Sequence, residues 1–175
     1  MIVIGTGAAN IVLEAAQQQG LRCAQIERGK FGGTCLTRGC IPTKVLVTAA
    51  DRLYEMREAA ALGLSAENIS FDWQKISARV WQKIDESIGL RQFYLDEPHT
   101  DVYEGTAHFT DDHTIEVHYP DGSKSEPLTA EKIYIATGGK TKIPQMTGVE
   151  NVDYYTSESF FGEKYPSEPF RDIIV

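Results

Sequence analysis

The chain has 175 residues, 42% of them hydrophobic, 24% charged and 10% aromatic. That is enough for one domain with a real core, or one domain and part of a second, and too apolar for a disordered or low-complexity chain. A net charge of −8 makes it a poor electrostatic partner for nucleic acid or anionic lipid, and no run approaches the roughly 18 apolar residues of a membrane span. Three cysteines, an odd number, do not make a secreted disulfide scaffold. With nothing at the start in the form of a signal peptide, a cytoplasmic location is expected, and any disulfide is expected to be catalytic rather than structural.

Ile2-Val3-Ile4 is a short β-branched run suited to a buried parallel strand. It breaks at Gly5-Thr6-Gly7-Ala8-Ala9-Asn10, and Ile11, Val12, Ala15, Ala16 and Gln19 follow at helical spacing up to Gly20, a C-terminal glycine. Arg22 to Glu27 reads as the second strand. Strand, glycine turn, helix and a strand ending in an acid form a dinucleotide-binding fingerprint in its required context. In it, Gly5 permits the tight turn, Gly7 lets backbone approach a pyrophosphate, Ala8 lies in the turn before the helix whose N-terminus faces the phosphates, and Glu27 is placed for ribose hydroxyls. The third glycine position holds Asn10, so a slightly different helix–strand approach or a polar contact is expected there. The motif alone does not choose between NAD and FAD.

Residues 32–44 read GGTCLTRGCIPTK. Cys35 and Cys40 are five apart; an ideal helix would hold their Cα atoms more than about 8 Å apart, whereas a disulfide needs about 4.4–6.8 Å. If the two bond, the segment must leave ideal helix, and Gly39 supplies the freedom. Pro42 fits a helix's first turn, and Leu46, Ala49, Leu53, Met56 and Ala60 give the helix beyond it an apolar face. A thiol near a helix N-terminus points to redox chemistry. Two cysteines without a second pair do not fill a zinc site, and His99, His108, His113 and His118 share no ligand spacing, so no metal is expected. Cys23, mid-strand, reads as a small buried hydrophobe.

Asp72 and Trp73 start a third helical stretch carrying Ile76, Val80, Ile84 and Ile88, with Trp73 and Trp81 in core or interface positions. A β-rich stretch follows, Val102 to Phe109 and Thr114 to Tyr119, with a turn at Pro120-Asp121-Gly122-Ser123. Lys132 to Gly139 is an apolar strand ending in glycines, Pro166 and Pro169 mark a linker-like tail, and Ile173-Ile174-Val175 has the look of a new buried strand.

GGTCLTRGCIPTK resembles the redox signature of the pyridine nucleotide–disulfide oxidoreductases, flavoproteins such as dihydrolipoamide dehydrogenase and the glutathione, mycothione and mercuric reductases. Asn10 is similar to the mycothione reductase branch. The resemblance implies an α/β, Rossmann-like FAD-binding fold with a small antiparallel β insertion, incomplete here, with a FAD domain at 1–145 and, at 146–175, a connecting segment and the start of an NAD(P)-binding domain. It implies that the fingerprint binds FAD, that Cys35 is the interchange thiol and Cys40 the charge-transfer thiol, and that Lys44 approaches the flavin. Gly33 and Thr34, Thr106 and Ala107 after Gly105, and Ala136-Thr137-Gly138 would be further FAD contacts. The intact enzyme would use NAD or NADP, act on a dithiol or disulfide substrate and form a homodimer. This piece alone would be inactive; the alternative is a non-catalytic FAD- or dithiol-binding remnant.

Overall fold

The computed structural model describes residues 1–65 and 67–174. Four strands form a parallel sheet in the order β3-β2-β1-β7: β1 (Ile2–Ile4), β2 (Cys23–Glu27), β3 (Thr100–Glu104) and β7 (Ile133–Ile135). β1 sits at the centre, with Ile2 beside Ala24 on one flank and Ile133 on the other. Successive side chains point to opposite faces, and each face of this sheet has its own cover. Val3 and Cys23 pack with Leu13 and Ala16 of helix α1 (Asn10–Gln17), with Phe31, and with Tyr94 of a second helix described below. Ile2, Ile4 and Ile26 pack on Ile115 and Val117 of the smaller sheet. Burial on both faces is why the central strand β1 is apolar at every position instead of alternating.

The smaller sheet is antiparallel, in the order β4-β5-β6, from β4 (Thr106–Asp111), β5 (Thr114–His118) and the short β6 (Leu128–Thr129). The run from Val102 to Phe109, continuous in sequence, is therefore two strands in two sheets, divided at Gly105. A Cβ on Gly105 would lie 2.6 Å from both the His118 carbonyl oxygen and Val117 Cγ1, so glycine is what lets the chain pass between the sheets. The turn at 120–123 forms as expected, with Gly122 at φ +86°.

The chain divides into two compact units, each made of two segments: Met1–Thr37 with Glu86–Lys140, which holds both sheets, and Arg38–Asp85 with the segment from Thr141 on. These units cut the chain elsewhere than the expected boundary near residue 145. In the second unit α3 (Cys40–Glu58) packs on α4 (Trp73–Ile84). Asp72 caps α4 by accepting from the Lys75 N–H. The helix expected to run through Ile88 stops at Ile84; α5 (Glu86–Leu95) is a separate helix of the first unit, and Ile88 on it is exposed. No glycine or proline marks that break, so the apolar spacing reads straight across it.

The tail is not a loose linker. Phe161 is buried with Val80 and Ile84 beside Val45 and Leu46, Tyr165 stacks on Trp73 at 6.0 Å, and the Trp73 indole N–H donates to the Pro166 carbonyl at 3.0 Å. This covers the start of the apolar face of α3 at Val45 and Leu46; Ala49 and Leu53 stay half-buried, Met56 is exposed, and Ala60, also exposed, lies beyond the end of the helix at Glu58. The strand expected to begin at Ile173 does not form: Ile173 and Ile174 are exposed and paired with no strand, and Val175 lies outside the described residues. A lone strand has nothing to satisfy its backbone.

Tyr94 is fully buried and its hydroxyl lies 3.5 Å from Glu14 Oε1. Burial first, then the Glu14 charge, pushes its phenol up to about 12. Because the folded-state value is raised above the unfolded value near 10, this contribution is complete below about pH 10 and is lost as pH rises towards 12. Tyr94→Phe is expected to remove about 2 kcal/mol of alkaline destabilisation over that window, read as the difference in urea midpoints between pH 9 and 11.5.

Candidate functional site

The carboxyl ends of parallel strands are where open α/β sheets hold ligands, and in the first unit three distant segments meet there. β1 ends in Gly5, at φ +105°, and a Cβ on it would lie 2.3 Å from the Ala136 carbonyl oxygen, so the turn closes directly on the segment leaving β7. The Ala136 N–H donates to the Ile4 carbonyl at 2.9 Å. Gly33, at φ +62°, lies against Gly7: a Cβ on Gly33 would come within 2.7 Å of Gly7 Cα. The glycine turn, the Gly32-Gly33 turn and the Ala136-Thr137-Gly138 segment thus form one backbone-walled corner. Ala8, Thr34, Thr137 and Gly138 are exposed there. One strand further out, Glu104 pairs in register with Glu27, and Thr106 (exposed) and Ala107 (half-buried) follow just beyond Gly105.

Two parts of this corner are not marked by the fingerprint. Thr6 is buried, and its N–H and hydroxyl both donate to Glu27 Oε2, at 3.1 and 2.7 Å, while the Gly32 N–H donates to the Thr6 hydroxyl oxygen at 3.1 Å. One hydroxyl therefore ties the first turn, the end of β2 and the Gly32-Gly33 turn together. Glu27 Oε1 accepts from the Gly29 N–H at 2.9 Å, which fixes the carboxylate and leaves lone pairs for a further donor. Asn10, in the third glycine position, makes the polar contact expected of it: its Nδ2 donates to the Thr6 carbonyl at 2.9 Å, and its Oδ1 accepts from Gln25 Nε2 at 3.0 Å. Gln25 is fully buried, and its Oε1 has no partner among the described residues. The signal for Gln25 was available, since an amide inside an apolar parallel strand must find a hydrogen bond. Thr6 carried none beyond being a hydroxyl between two glycines.

The Gly33 turn leads at once into α2 (Gly33–Arg38), which carries Cys35 two residues on, exposed; the Thr37 hydroxyl donates to the Gly33 carbonyl at 2.8 Å and steadies this helix. Helical geometry is broken at Gly39 (φ −142°, ψ −115°), the residue expected to supply the freedom a Cys35–Cys40 bond would need, and Cys40, also exposed, is the first residue of α3. Pro42 is buried in the first turn and Lys44 is exposed one turn in. Cys23 is buried in β2, and burial pushes its thiol upward, the environment of a packing residue. Among the described residues no three His, Cys, Asp or Glu side chains are grouped to hold a metal, and no helix is long and apolar enough to cross a membrane.

A backbone-walled corner with a helix N-terminus and a fixed carboxylate at the adjacent strand end is the donor and acceptor set a dinucleotide needs. The paired glycines leave no side chain between the two turns, so the residues present fit FAD. The class this defines is a dinucleotide-binding α/β fold. The model for pyridine nucleotide-disulphide oxidoreductases matches residues 1–168, and the chain belongs to that family. The family is FAD-dependent, with NAD(P)H as electron donor, and the chain matches the N-terminal FAD-binding region of its members.

Among its relatives, mycothione reductase of Mycobacterium tuberculosis (strain ATCC 25618 / H37Rv) is 34% identical over 158 residues, 90% of this chain and 34% of that protein. Mercuric reductase of Lysinibacillus sphaericus is 33% identical, over 90% of this chain and 28% of that one. Dihydrolipoyl dehydrogenase of Bacillus subtilis (strain 168) is 34% identical, over 80% and 31%. In three dimensions the chain is similar to the HOCl-induced flavoprotein disulfide reductase RclA from Escherichia coli, solved as a Cu(II) complex of a cysteine-to-serine mutant, with a TM-score of 0.71 and 28% identity over 91% of this chain and 33% of that one. The chain spans about a third of the length of these relatives.

Gly33→Ala is expected to destabilise the chain by about 2 kcal/mol or more, because it adds a collision to the left-handed backbone. Gly20→Ala, at φ +71° with nothing within 4 Å of its Cβ, should cost only about 1 kcal/mol; equal losses in chemical denaturation would disprove the close approach. Thr6→Val should cost about 1–3 kcal/mol and Thr6→Ser much less, since only the hydroxyl joins Glu27 to Gly32.

Proposed function

We propose that these 175 residues are the FAD-binding, thiol-bearing part of a disulfide oxidoreductase that moves electrons between NAD(P)H and a dithiol/disulfide substrate through a Cys35–Cys40 disulfide. The observation that carries this reading is the Gly7–Gly33 approach: the turn that walls the dinucleotide corner is the first residue of the helix bearing Cys35. Gly5, Gly7, Ala8 and the N-terminus of α1 hold the pyrophosphate, with Gly33 and Thr34 opposite. Asn10 keeps the first turn in place. Glu27 takes the ribose hydroxyls, and Thr106, Ala107, Ala136, Thr137 and Gly138 line the remaining contacts. Bound FAD supplies two-electron exchange with a nicotinamide.

In the reductive direction the Cys35–Cys40 bond is broken by two electrons, leaving a thiol and a thiolate. Cys35 attacks a sulfur of the substrate disulfide, forming a mixed disulfide and releasing the first substrate thiol. Cys40 then attacks Cys35, which releases the second thiol and restores the internal disulfide. Lys44 supplies positive charge on the Cys40 side. A dihydrolipoamide-type enzyme runs these steps backwards. We place this chemistry in the cytoplasm of the cell, in a homodimer, with the FAD domain running to about residue 145 and a connecting segment from 146 to 175.

Loaded with FAD and reduced by dithiothreitol, the chain should develop a long-wavelength absorbance band. Cys40→Ser should abolish the band and Cys35→Ser should keep it; the reverse pattern, or a folded chain that takes up no flavin, would refute the assignment. The sequence carries one dinucleotide fingerprint where a hydride relay needs a place for two nucleotides, so the 175-residue chain alone should show no NAD(P)H-dependent reduction of a disulfide dye.

A further inference from the structure

Arg38 stands between the two cysteines in sequence, as the last residue of α2, and its guanidinium lies 3.6 Å from Glu158 Oε1. Glu158 is on the four-residue helix α6 (Ser157–Phe160) of the tail. That short helix is firmly held. Thr156 and Ser159 form a reciprocal capping box, and Phe160 and Phe161 pack with Val45 and Leu46 of α3 and with Val80 and Ile84 of α4. The tail therefore brings an exposed carboxylate on a well-held backbone to the cation that lies between the two cysteines in sequence. As a contribution to stability such a pair is minor, since both side chains are partly exposed. Its consequence for a nearby thiolate is different. Arg38 is two residues from Cys40, their Cα atoms no more than about 7 Å apart, so its charge is carried by the segment that bears this thiol. A guanidinium keeps its charge at every relevant pH.

We propose that Glu158 is a positioning residue for the redox loop: by pairing with Arg38 it draws that positive charge away from Cys40 and keeps the cysteine couple harder to reduce. The proposal rests on the Cys35–Cys40 reading above. Positive charge beside the pair favours its reduced, thiolate-bearing form, and a compensating carboxylate removes that advantage. Lys44, one turn into α3, is the other cation of this stretch and is exposed. The Arg38–Glu158 pair is therefore the adjustable part.

The full 175-residue chain is equilibrated at neutral pH in dithiothreitol buffers of varied oxidised-to-reduced ratio. Dithiothreitol closes to its cyclic disulfide and delivers two electrons and two protons to the Cys35–Cys40 bond. The reduced fraction is read by acid quench, alkylation and mass. Glu158→Gln, which leaves Arg38 uncompensated, is expected to raise the equilibrium constant for reduction by roughly three- to tenfold, about 15–30 mV for a two-electron couple. Arg38→Gln, which leaves Glu158 uncompensated, should lower it by a similar factor, and the double variant should return close to the starting value. High salt should shrink all three differences. A purely structural pair would lower thermal stability in every variant without opposite shifts in potential. Potentials within twofold of one another, or shifts of the same sign, would overturn the proposal and leave the functional reading standing. Absence of any reversible thiol–disulfide couple in the unsubstituted chain would overturn both.

Discussion

Backbone meeting backbone at Gly7 and Gly33 is the constraint from which the rest of the candidate site follows. A side chain at Gly33 would sit 2.7 Å from Gly7 Cα, so the two turns touch only because position 33 carries none. Their contact places the start of α2 at the carboxyl end of β1, next to the N-terminus of α1, and so brings a thiol-bearing helix to a phosphate-binding corner. Thr6 secures the same junction from inside, through Glu27 and the Gly32 amide. Removing water from these bonds makes each worth more than it would be on the surface.

Much of this was legible in the sequence because it is written in backbone requirements. Glycines at 5, 33 and 105 each mark a place where a Cβ has no room, and the apolar run at 2–4 is continuous because the central strand is covered on both sides. Arithmetic on the cysteine spacing asked for a break only if the two cysteines bond, and the break falls at Gly39. What was not legible depends on long-range packing. Nothing local distinguishes the 102–109 run as two strands except one glycine, and nothing at Asp85 announces the end of α4. The tail read as a linker because prolines and polar residues dominate its composition. Its meaning lies in Tyr165, Phe160 and Phe161, whose partners on α3 and α4 are about 80 to 115 residues away in sequence.

The candidate site residues divide in the same way. Those that wall the corner with backbone, Gly5, Gly7, Gly33 and Ala136, were visible as glycine-rich turns and are brought together in one unit. Those that act through a side chain supported by another side chain were harder to see. Thr6 acts through Glu27, and Arg38 faces an acid 120 positions later, a pairing that no spacing rule contains.

The Asn10–Gln25 pair has a consequence for how such a fold can drift. The commoner glycine at position 10 would leave the Gln25 amide, already unsatisfied at Oε1, without its remaining acceptor inside a dry sheet. An apolar residue at 25 would strand the Asn10 amide oxygen in turn. Glycine with an apolar strand leaves no amide to satisfy, whereas asparagine with a buried glutamine pairs Asn10 Oδ1 with Gln25 Nε2 and carries one orphan at Gln25 Oε1; either single step between them adds a further unpaired dipole. The two helix–strand junctions are thus separate islands, reached from one another only by a double substitution.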